Sequence, residues 1–269
     1  MVGDMKSVSL PPVTVKVSVR KLELSLNLDE NVEDDVAVES PIEIILNGKS
    51  IATLLATPSL IEELAIGFLL DEGIVDSKDD LVSVRAIGKT VDVETKERGV
   101  RYEKSRNTGL VLTSCGSSGY SKSLDGLDWP SVCSDHKVKA QDISKMIREL
   151  SQSSLYFGKT GAMHSAAIFH NSILKAFAED VGRHNAIDKV IGSSIRQGLD
   201  LTQATLATTG RQPADLVLKA ARVGVPISVS MRGPIHSGIL AAEKVGLTLV
   251  CFARGSRMNV YTFPERIVH

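Results

Sequence analysis

The chain has 269 residues, of which 43% are hydrophobic and 23% are charged, so it is long enough for one large domain or two modest ones. This composition excludes a disordered chain, a collagen-like repeat and a mini-protein held by disulfides. A net charge of -1 argues against a protein that coats nucleic acid, and three cysteines indicate a reducing compartment. No stretch has the apolar length of a membrane span, and the first ten residues lack the pattern of a signal peptide. We therefore expect a cytoplasmic protein with neither a membrane nor a nucleic-acid partner.

The charges are divided unevenly along the chain. Residues 161–269 carry 12 Lys and Arg against 7 Asp and Glu, a net charge of +5, whereas residues 1–160 carry a net charge of -6. A cationic half is compatible with an ordinary solvated surface, and it also suits a pocket for an anionic ligand.

The first third of the chain has the pattern of β structure with one helix. Alternating valines over residues 13–19 predict a half-buried strand. Asn47 and Gly48 stand between two apolar runs and predict a tight hairpin turn, because both residues tolerate positive φ. Ser59 and Glu62 have the spacing of a capping box at the start of a helix. Further strands are predicted at residues 81–87, 90–93 and 109–112.

The apolar pattern stops at residues 113–137, which are rich in Ser, Gly, Asp and Pro. This composition predicts either a mobile loop or a plain linker between domains. A helix follows, for which Asp142 is a candidate N-cap.

After Gly158, strand-like runs alternate with helical runs, which predicts a sheet with parallel strands covered by helices. Gly198, Gly224 and Gly246 each follow a helical run as a C′ glycine. The predicted fold class is therefore α/β. The predicted domains are a β-rich domain with one helix at 1–112, a flexible cysteine loop at 113–137 and an α/β domain at 138–269.

An arginine stands beside a glycine at four predicted strand ends. The pairs are Gly182 and Arg183, Gly210 and Arg211, Arg232 and Gly233, and Arg254 and Gly255. Glycine lets an anion approach backbone N–H groups and arginine binds its oxygens in bidentate fashion, so the pattern favours a phosphate or pyrophosphate ligand. Helix capping and surface solvation are the alternative. The chain has no Walker loop and no GxGxxG motif, which argues against ATP hydrolysis and nicotinamide binding.

Two acidic residues, Glu179 and Asp180, precede the first of these arginines. They could accept hydrogen bonds from a base edge or a ribose, or they could pair with Arg183 and hold the turn.

Three histidines occur near the same strand ends, namely His164, His184 and His236. A lone histidine is either a hydrogen-bonded structural residue or a catalyst, and the sequence does not decide between these roles. The HxE and PCxxC motifs of zinc deaminases are absent, although the order of layers resembles that fold, so no metal site is predicted.

The three cysteines differ in their surroundings. Cys251 lies inside an apolar run and should be buried and inert. Cys133 lies in the Ser-rich and Gly-rich segment. Cys115 follows a predicted strand and is flanked by Ser and Gly, which are conditions for an accessible, reactive thiolate that can carry sulfur.

Several segments together resemble the FdhD/NarQ family of formate dehydrogenase accessory proteins. They are TSCGSSG at 113–119, KTGAMHSAAIF at 159–169, EDVGRHNAIDKVIG at 179–192, TTGR at 208–211, KAARVGVPISVS at 219–230 and CFARGSRMNVYT at 251–262. The N-terminal segment resembles the family mainly in order and size.

This resemblance implies a sulfurtransferase. Such an enzyme takes sulfur from a cysteine desulfurase as a persulfide and passes it to the molybdenum cofactor destined for formate dehydrogenase. The resemblance also implies a homodimer, a C-terminal domain related to the cytidine deaminase fold and a site for bis-molybdopterin guanine dinucleotide, with a GDP-like ligand as an alternative occupant.

The family's functional residues fall on definite positions of this chain. The persulfide cysteine falls on Cys115. The cofactor-binding stretch falls on Phe252, Ala253, Arg254, Gly255, Ser256 and Arg257. Together with the other strand ends, the expected cofactor site also includes Gly210, Arg211, Arg232, Glu179, Asp180, Arg183, His184 and Asn185.

One position departs from the family pattern, because the second cysteine of its CxxC motif falls on Ser118. A disulfide within the motif is therefore impossible, and we expect Cys115 alone to carry the sulfur, with Cys133 as a second candidate. The main alternative is a chaperone that binds and delivers the cofactor without sulfur chemistry. A thioredoxin-like oxidoreductase is a third possibility, but the βαβ context that it requires does not surround Cys115.

Overall fold

The computed structural model describes residues 10–96, 100–101, 111–112 and 129–269. Cys115 and Ser118 lie outside the described residues, as does most of the segment predicted to be a flexible loop. The descriptions below refer to the described ranges.

The N-terminal part begins with an antiparallel ribbon of two strands, β1 (Thr14–Glu23) and β2 (Leu28–Ala37). The predicted valine strand is confirmed as β1 and extends further than the alternation of valines indicates, whereas β2 was not predicted. The ribbon leads into a separate sheet.

That second sheet has five strands. They are β3 (Ser40–Leu46), β4 (Lys49–Ala56), β5 (Leu81–Ile87), β6 (Thr90–Thr95) and β7 (Val111–Leu112). Their order is β5-β6-β3-β4-β7, with β3 parallel to β6 and β4 parallel to β7. The predicted turn between β3 and β4 is confirmed, because Asn47 and Gly48 both have positive φ, of 48° and 76°.

One helix, α1 (Ile61–Asp71), covers this sheet. The predicted capping box at its start is wrong. The helix begins after Leu60, which has a φ of 50°, and no side chain caps it. Glu62 instead accepts a hydrogen bond from the backbone N–H of Ala86 at 2.9 Å, so its carboxylate points across to β5 and away from Ser59.

The C-terminal part is built on a six-stranded sheet. Its strands are β9 (His164–His170), β10 (Ile173–Asp180), β11 (Ala204–Thr208), β12 (Ile227–Ser230), β13 (Thr248–Arg254) and β14 (Arg257–Val260). The order is β10-β9-β11-β12-β13-β14. The central strands β11, β12 and β13 are parallel, as predicted, and the flanking pairs are antiparallel. A short parallel pair, β8 (Val138–Lys139) with β15 (Ile267–Val268), lies apart from it.

Helices cover both faces of the six-stranded sheet. They are α2 (Ala140–Ser153), α3 (Leu155–Thr160), α4 (Arg183–Arg196), α5 (Ala214–Arg222) and α6 (His236–Val245). Buried residues of α4, α5 and α6 pack on one face and those of α2 on the other. The alternation within β9 shows the division, since Ile168 belongs to the first core and Phe169 to the second.

The sequence predicts the ends of the helices better than their beginnings. Gly198, Gly224 and Gly246 all adopt positive φ after their helices, as predicted. The predicted N-cap Asp142 is wrong, because α2 begins at Ala140 and the Asp142 carboxylate lies in its first turn, 2.9 Å from the Lys145 ammonium. The short helix α3 was not predicted.

The two parts of the chain meet where α1 packs against α4. Glycines stand at the crossing: a Cβ atom at Gly67 would collide with the backbone of Asp188, and one at Gly192 would collide with the backbone of Glu63. The absence of side chains at these two positions lets the two backbones approach closely. Among the described helices, none has both the length and the apolar content needed to cross a membrane.

This crossing generates a stability prediction. We expect Gly192→Ala to lower the free energy of unfolding by about 2–3 kcal/mol, because the added methyl group has no space between the two backbones. Urea unfolding followed by circular dichroism measures the change.

Gly158→Ala is the matched control, because it also lies in a helix but has no atom within 4 Å of the position that the added methyl group would take. It should leave the stability unchanged or raise it by up to about 1 kcal/mol. Equal stability of the two variants would contradict the close-packed crossing.

Candidate functional site

The predicted arginine-bearing strand ends all lie at one edge of the six-stranded sheet. Strand pairing places Asp180 opposite His164 and Thr208 opposite Ser230, so β10, β11 and β12 end where the antiparallel β9 begins. We call this the arginine edge, and it comprises Arg183, Arg211, Arg232, Arg254 and Arg257. The sequence analysis predicted arginines at four strand ends, and the structure confirms those positions. Their binding of a ligand stays a prediction.

The cations at this edge lack carboxylate partners in the described part of the chain. Arg211, Arg232, Arg254 and Arg257 are exposed, and none of them forms an ion pair with a described acidic side chain. Unpaired cations grouped at one edge create a positive potential that attracts an anion.

The loop after β11 brings two of the predicted site residues into contact. Gly210 is buried, and a Cβ atom there would stand 3.0 Å from Cβ of Arg183. The glycine therefore gives the Arg183 side chain its space, and Arg211 continues from it toward solvent.

Phe252 is an exposed aromatic side chain beside the arginine edge, with 43% of its surface accessible. Its backbone has a φ of 54°, a strained conformation for a bulky residue, and its N–H donates to the Arg232 carbonyl at 3.1 Å. The ring lies against Gly233, where a Cβ atom would collide with it. The result is a fixed aromatic face next to Arg232.

The rest of the predicted stretch completes the hairpin between β13 and β14. Ala253 is buried and packs in the core, whereas Gly255 and Ser256 are exposed at the turn, where Gly255 has a φ of 56°.

Three other predicted site residues are buried supports of this edge. Glu179 accepts the backbone N–H groups of Tyr156 and Phe157, at 3.0 and 2.8 Å, and so caps α3. Asn185 donates to the Leu55 carbonyl at 2.8 Å. Pairing with Arg183, which was part of one of the two roles that the sequence left open for the acidic residues, is not observed among the described contacts; Glu179 instead holds the start of α3.

Asp180 is also buried, but its partner is a residue that the sequence prediction missed. Its carboxylate accepts from the Lys189 ammonium at 2.6 Å, from the Gly182 N–H at 2.8 Å and from the Thr57 N–H at 3.0 Å. Lys189 also donates to the Thr57 carbonyl at 2.8 Å, and the Thr57 hydroxyl accepts from the Val181 N–H. Thr57, at the end of β4, is thereby tied to the turn that begins α4.

A second buried ion cluster lies nearby and was also missed. Lys219 is within 2.7–2.9 Å of carboxylate oxygens of Asp71, Glu72 and Asp188. Burial acts to lower the pKa of Lys219, but the three carboxylates together have the larger effect and hold this pKa well above its ordinary value. Burial and the charge of Asp188 raise the pKa of Asp71. The sequence signal for both clusters is a lysine inside an otherwise apolar helical face.

The two histidines of the edge have different surroundings. His184 Nε2 is 2.8 Å from Asp215 Oδ2. Burial acts to raise the pKa of Asp215, but the hydrogen bond and charge of His184, together with the Leu216 N–H and the charge of Lys219, leave this pKa lowered. His164 lies beside the Thr209 hydroxyl, with 3.4 Å between Nδ1 and Oγ1. Burial lowers the pKa of His164, and the positive charges of Arg183 and Arg232 lower it further.

Neither described cysteine presents an exposed thiol at the arginine edge. Cys251 is buried in β13, where burial raises its pKa to about 12, in agreement with the predicted inert role. Cys133 is exposed, and its neighbour Ser134 is hydrogen-bonded to the Thr202 carbonyl near the start of β11. Cys133 therefore lies toward the opposite edge of the sheet.

The short strand β7 precedes Cys115 in the sequence. Leu112, its last residue, pairs in parallel with Leu54 of β4, and β4 leads directly to Thr57. Because the strands are parallel, β7 and β4 end on the same side of the sheet, the side where Thr57 bonds to the turn before α4. Cys115 follows Leu112 by three residues, which is at most about 11 Å of extended chain.

The electrostatics of His164 generate a pH prediction. Its folded-state pKa is lowered, so the stability that it contributes is present above about pH 6.5 and is lost as the pH falls through the folded pKa. We expect inorganic pyrophosphate to raise the His164 pKa, because a bound anion offsets the charges of Arg183 and Arg232. NMR titration of the imidazole protons measures this shift.

His136 is the control for that titration. Burial lowers its pKa as well, but its ring contacts Thr205 at the opposite edge of the sheet. Its pKa should not respond to pyrophosphate. A saturating anion that leaves the His164 pKa unchanged would contradict an anion site at the arginine edge.

Comparison with known proteins identifies the family of this chain. The profile of the FdhD/NarQ family matches residues 37–268. A sulfur carrier protein FdhD from Methanothermobacter thermautotrophicus is 36% identical over 237 residues, covering 88% of this chain and 93% of the relative. The sulfur carrier protein FdhD from Sulfolobus acidocaldarius is 35% identical over 258 residues, covering 93% and 99%.

A solved structure also matches over nearly the whole chain. It is described as a formate dehydrogenase accessory protein from Desulfotalea psychrophila, and it superposes with a TM-score of 0.79 at 28% identity, covering 96% of this chain and 100% of the other. The arrangement of mixed α/β structure in several sheets is therefore shared with that protein. By the extent of the matched profile and the identity to these relatives, the chain belongs to the FdhD/NarQ family.

Proposed function

We propose that this protein is a sulfurtransferase in the maturation of formate dehydrogenase, in which Cys115 carries sulfur as a persulfide to a molybdenum cofactor held at the arginine edge. One observation carries the proposal: β7 pairs in parallel with β4, β4 leads to Thr57, and Thr57 is hydrogen-bonded to the turn that begins the arginine edge, while Cys115 follows β7 by three residues in the sequence. The names of the relatives, sulfur carrier proteins, support the same activity.

The arginine edge has the chemistry of a nucleotide diphosphate site. Exposed guanidinium groups without carboxylate partners can bind phosphate oxygens in bidentate fashion. Phe252 offers an exposed ring beside them, on which a base can stack. These features support bis-molybdopterin guanine dinucleotide as the bound substrate, and GDP as a smaller ligand for the same site.

The sulfur transfer needs a single thiolate. The Cys115 thiolate attacks the outer sulfur of a persulfide on a cysteine desulfurase, a new S–S bond forms, and the desulfurase thiolate leaves. The outer sulfur then passes to the cofactor and the Cys115 thiolate is released; an acceptor that takes the sulfur as sulfide supplies two electrons. Neither step requires a second cysteine at Ser118.

The positions of the other cysteines favour Cys115. Cys251 is buried and its pKa is raised, so it supplies almost no thiolate at neutral pH. Cys133 is exposed but lies toward the sheet edge that is remote from the arginines.

A non-catalytic chaperone for the same cofactor is the second candidate function. The observation that favours it is Ser118, which replaces the second cysteine of the family motif. Both candidates require a nucleotide site at the arginine edge, and only the first requires the Cys115 thiol.

Further parts of the proposal concern the fold and the assembly. We infer a relation of the six-stranded layer to the cytidine deaminase fold, supported by its mixed sheet with helices on both faces. We also infer a homodimer that meets a cysteine desulfurase and formate dehydrogenase in the cytoplasm, where a carrier thiol stays reduced.

The persulfide step can be tested by mass spectrometry. After incubation with a cysteine desulfurase and cysteine, the protein should gain about 32 Da, the mass of one sulfur atom. Cys115→Ser should abolish the gain and the maturation of formate dehydrogenase while GDP binding persists.

Cys133→Ser and Cys251→Ser are the matched controls, and both should keep the adduct. An adduct that survives Cys115→Ser would overturn the assignment of the carrier. Normal maturation of formate dehydrogenase by Cys115→Ser would favour the chaperone.

The nucleotide site can be tested by calorimetry with GDP. We expect Arg232→Gln and Arg257→Gln each to weaken binding about tenfold, since each removes a charge-assisted contact to phosphate. Arg148→Gln makes the same change of charge on the exposed side of α2 and should leave GDP binding unaltered. Equal losses in all three variants would show that only net charge matters, and would contradict a site at the arginine edge.

A further inference from the structure

The end of β12 connects three of the loops that carry the arginine edge. The Met231 N–H donates to the Thr208 carbonyl at 3.1 Å, and the Met231 carbonyl accepts from Nε of Arg254 at 3.1 Å. The Arg232 carbonyl accepts from the Phe252 N–H. The loops after β11, β12 and β13 thus share one short segment of backbone.

The side chain that fixes this segment is Ser230. Its hydroxyl donates to the Gly210 carbonyl at 2.6 Å and accepts from the Arg232 N–H at 2.9 Å. Ser230 is fully buried, so water does not compete for either bond. One hydroxyl therefore joins the backbone of Gly210, next to Arg211, to the backbone of Arg232.

The need for such a link follows from the exposure of the arginines. Arg211 and Arg232 extend from separate loops into solvent and have no carboxylate partner among the described side chains that would hold them in place. A diphosphate can contact both only if the two loop backbones keep a fixed spacing, and a small misplacement costs binding energy.

We propose that Ser230 is a positioning residue of the arginine edge: its buried hydroxyl sets the spacing of the Gly210–Arg211 and Arg232 loops for a diphosphate ligand. This inference rests on the proposed function, and it adds Ser230, which is not among the site residues predicted from the sequence. Ser230 acts through the two backbones and does not touch the ligand.

Ser230→Ala removes this link, Thr208→Val removes a second hydroxyl of the same loop, and Ser194→Ala is the control. Ser230→Ala deletes both bonds. Thr208→Val removes, without a change of shape, the hydroxyl that accepts from the Gly210 N–H at 3.2 Å in the same loop. Ser194→Ala deletes an equally buried hydroxyl that bonds only to the Val190 carbonyl within α4.

Amide hydrogen exchange measures the positioning without any ligand. In Ser230→Ala the Arg232 N–H loses its acceptor, so its exchange should accelerate at least about tenfold while the amides of the sheet core keep their protection. In Ser194→Ala the exchange of Arg232 should match the wild type. An unchanged exchange rate in Ser230→Ala would overturn the inference.

Calorimetry with GDP and with guanosine measures the consequence. Ser230→Ala and Thr208→Val should each bind GDP about tenfold more weakly and bind guanosine as the wild type does, because only the phosphate contacts depend on the spacing. A merely structural loss would lower both affinities by the same factor, and Ser194→Ala should lower neither. Thermal unfolding confirms that each variant is folded at the temperature of the titration.

The two proposals fail in different ways. A wild-type protein that does not bind GDP overturns the proposed function and with it the role of Ser230. Wild-type binding of GDP with full affinity retained in Ser230→Ala overturns the positioning role alone.

Discussion

The arrangement of the whole molecule depends on the buried ion pair between Asp180 and Lys189. Both side chains are fully buried, so their charges are tolerated only because the carboxylate and the ammonium have hydrogen-bond partners. Thr57, which directly follows β4 of the other sheet, supplies one hydrogen bond to each member of the pair. The pair therefore cannot be satisfied unless the N-terminal and C-terminal parts meet in one relative position, and this requirement gives a buried charge a role in specifying the interface. Lys219, with Asp71, Glu72 and Asp188, repeats the principle along the same helix crossing.

The need to pair buried charges divides the cations of the C-terminal part into two kinds, buried lysines with carboxylate partners and exposed arginines without them. Lys189 and Lys219 are neutralised inside the protein, whereas the four exposed arginines at the arginine edge have no acidic partner among the described residues. The acidic residues nearest in sequence, Glu179 and Asp180, are occupied with backbone N–H groups and Lys189. Because these two carboxylates are bonded inside the protein, they do not neutralise the arginines, and the positive potential of the arginine edge remains available for an anion. The loops are held by neutral hydroxyl groups such as that of Ser230, which fix the backbone without cancelling the charge.

The sequence predicted those parts of the fold that depend on local patterns. The hairpin at Asn47 and Gly48 follows from the tolerance of two residues for positive φ, and the C′ glycines follow from the same rule. The grouping of the arginines at one edge follows from the direction of parallel strands. The predictions failed where a side chain had a distant partner: Glu62 bonds to Ala86 on β5, and that bond is not encoded in the residues next to it. The roles of Lys189 and Thr57 were missed for the same reason, since they are separated by 132 positions in the chain.

Contacts between residues that are distant in the sequence also connect the two proposed activities, sulfur transfer and nucleotide binding. In the proposed function, sulfur transfer at Cys115 and nucleotide binding at the arginine edge depend on residues that are far apart in the sequence, and nothing in the local sequence of either brings them together. β4 supplies the connection, because one side of it pairs with β7 on the way to Cys115 and its end is bonded to the turn before Arg183. A carrier thiol must reach its acceptor without releasing sulfur to water, so the distance between thiol and acceptor has to be limited by the fold and not by chance encounter. We propose that the Thr57 contacts limit this distance and that the buried Asp180 and Lys189 pair holds the two parts of the chain in place for it.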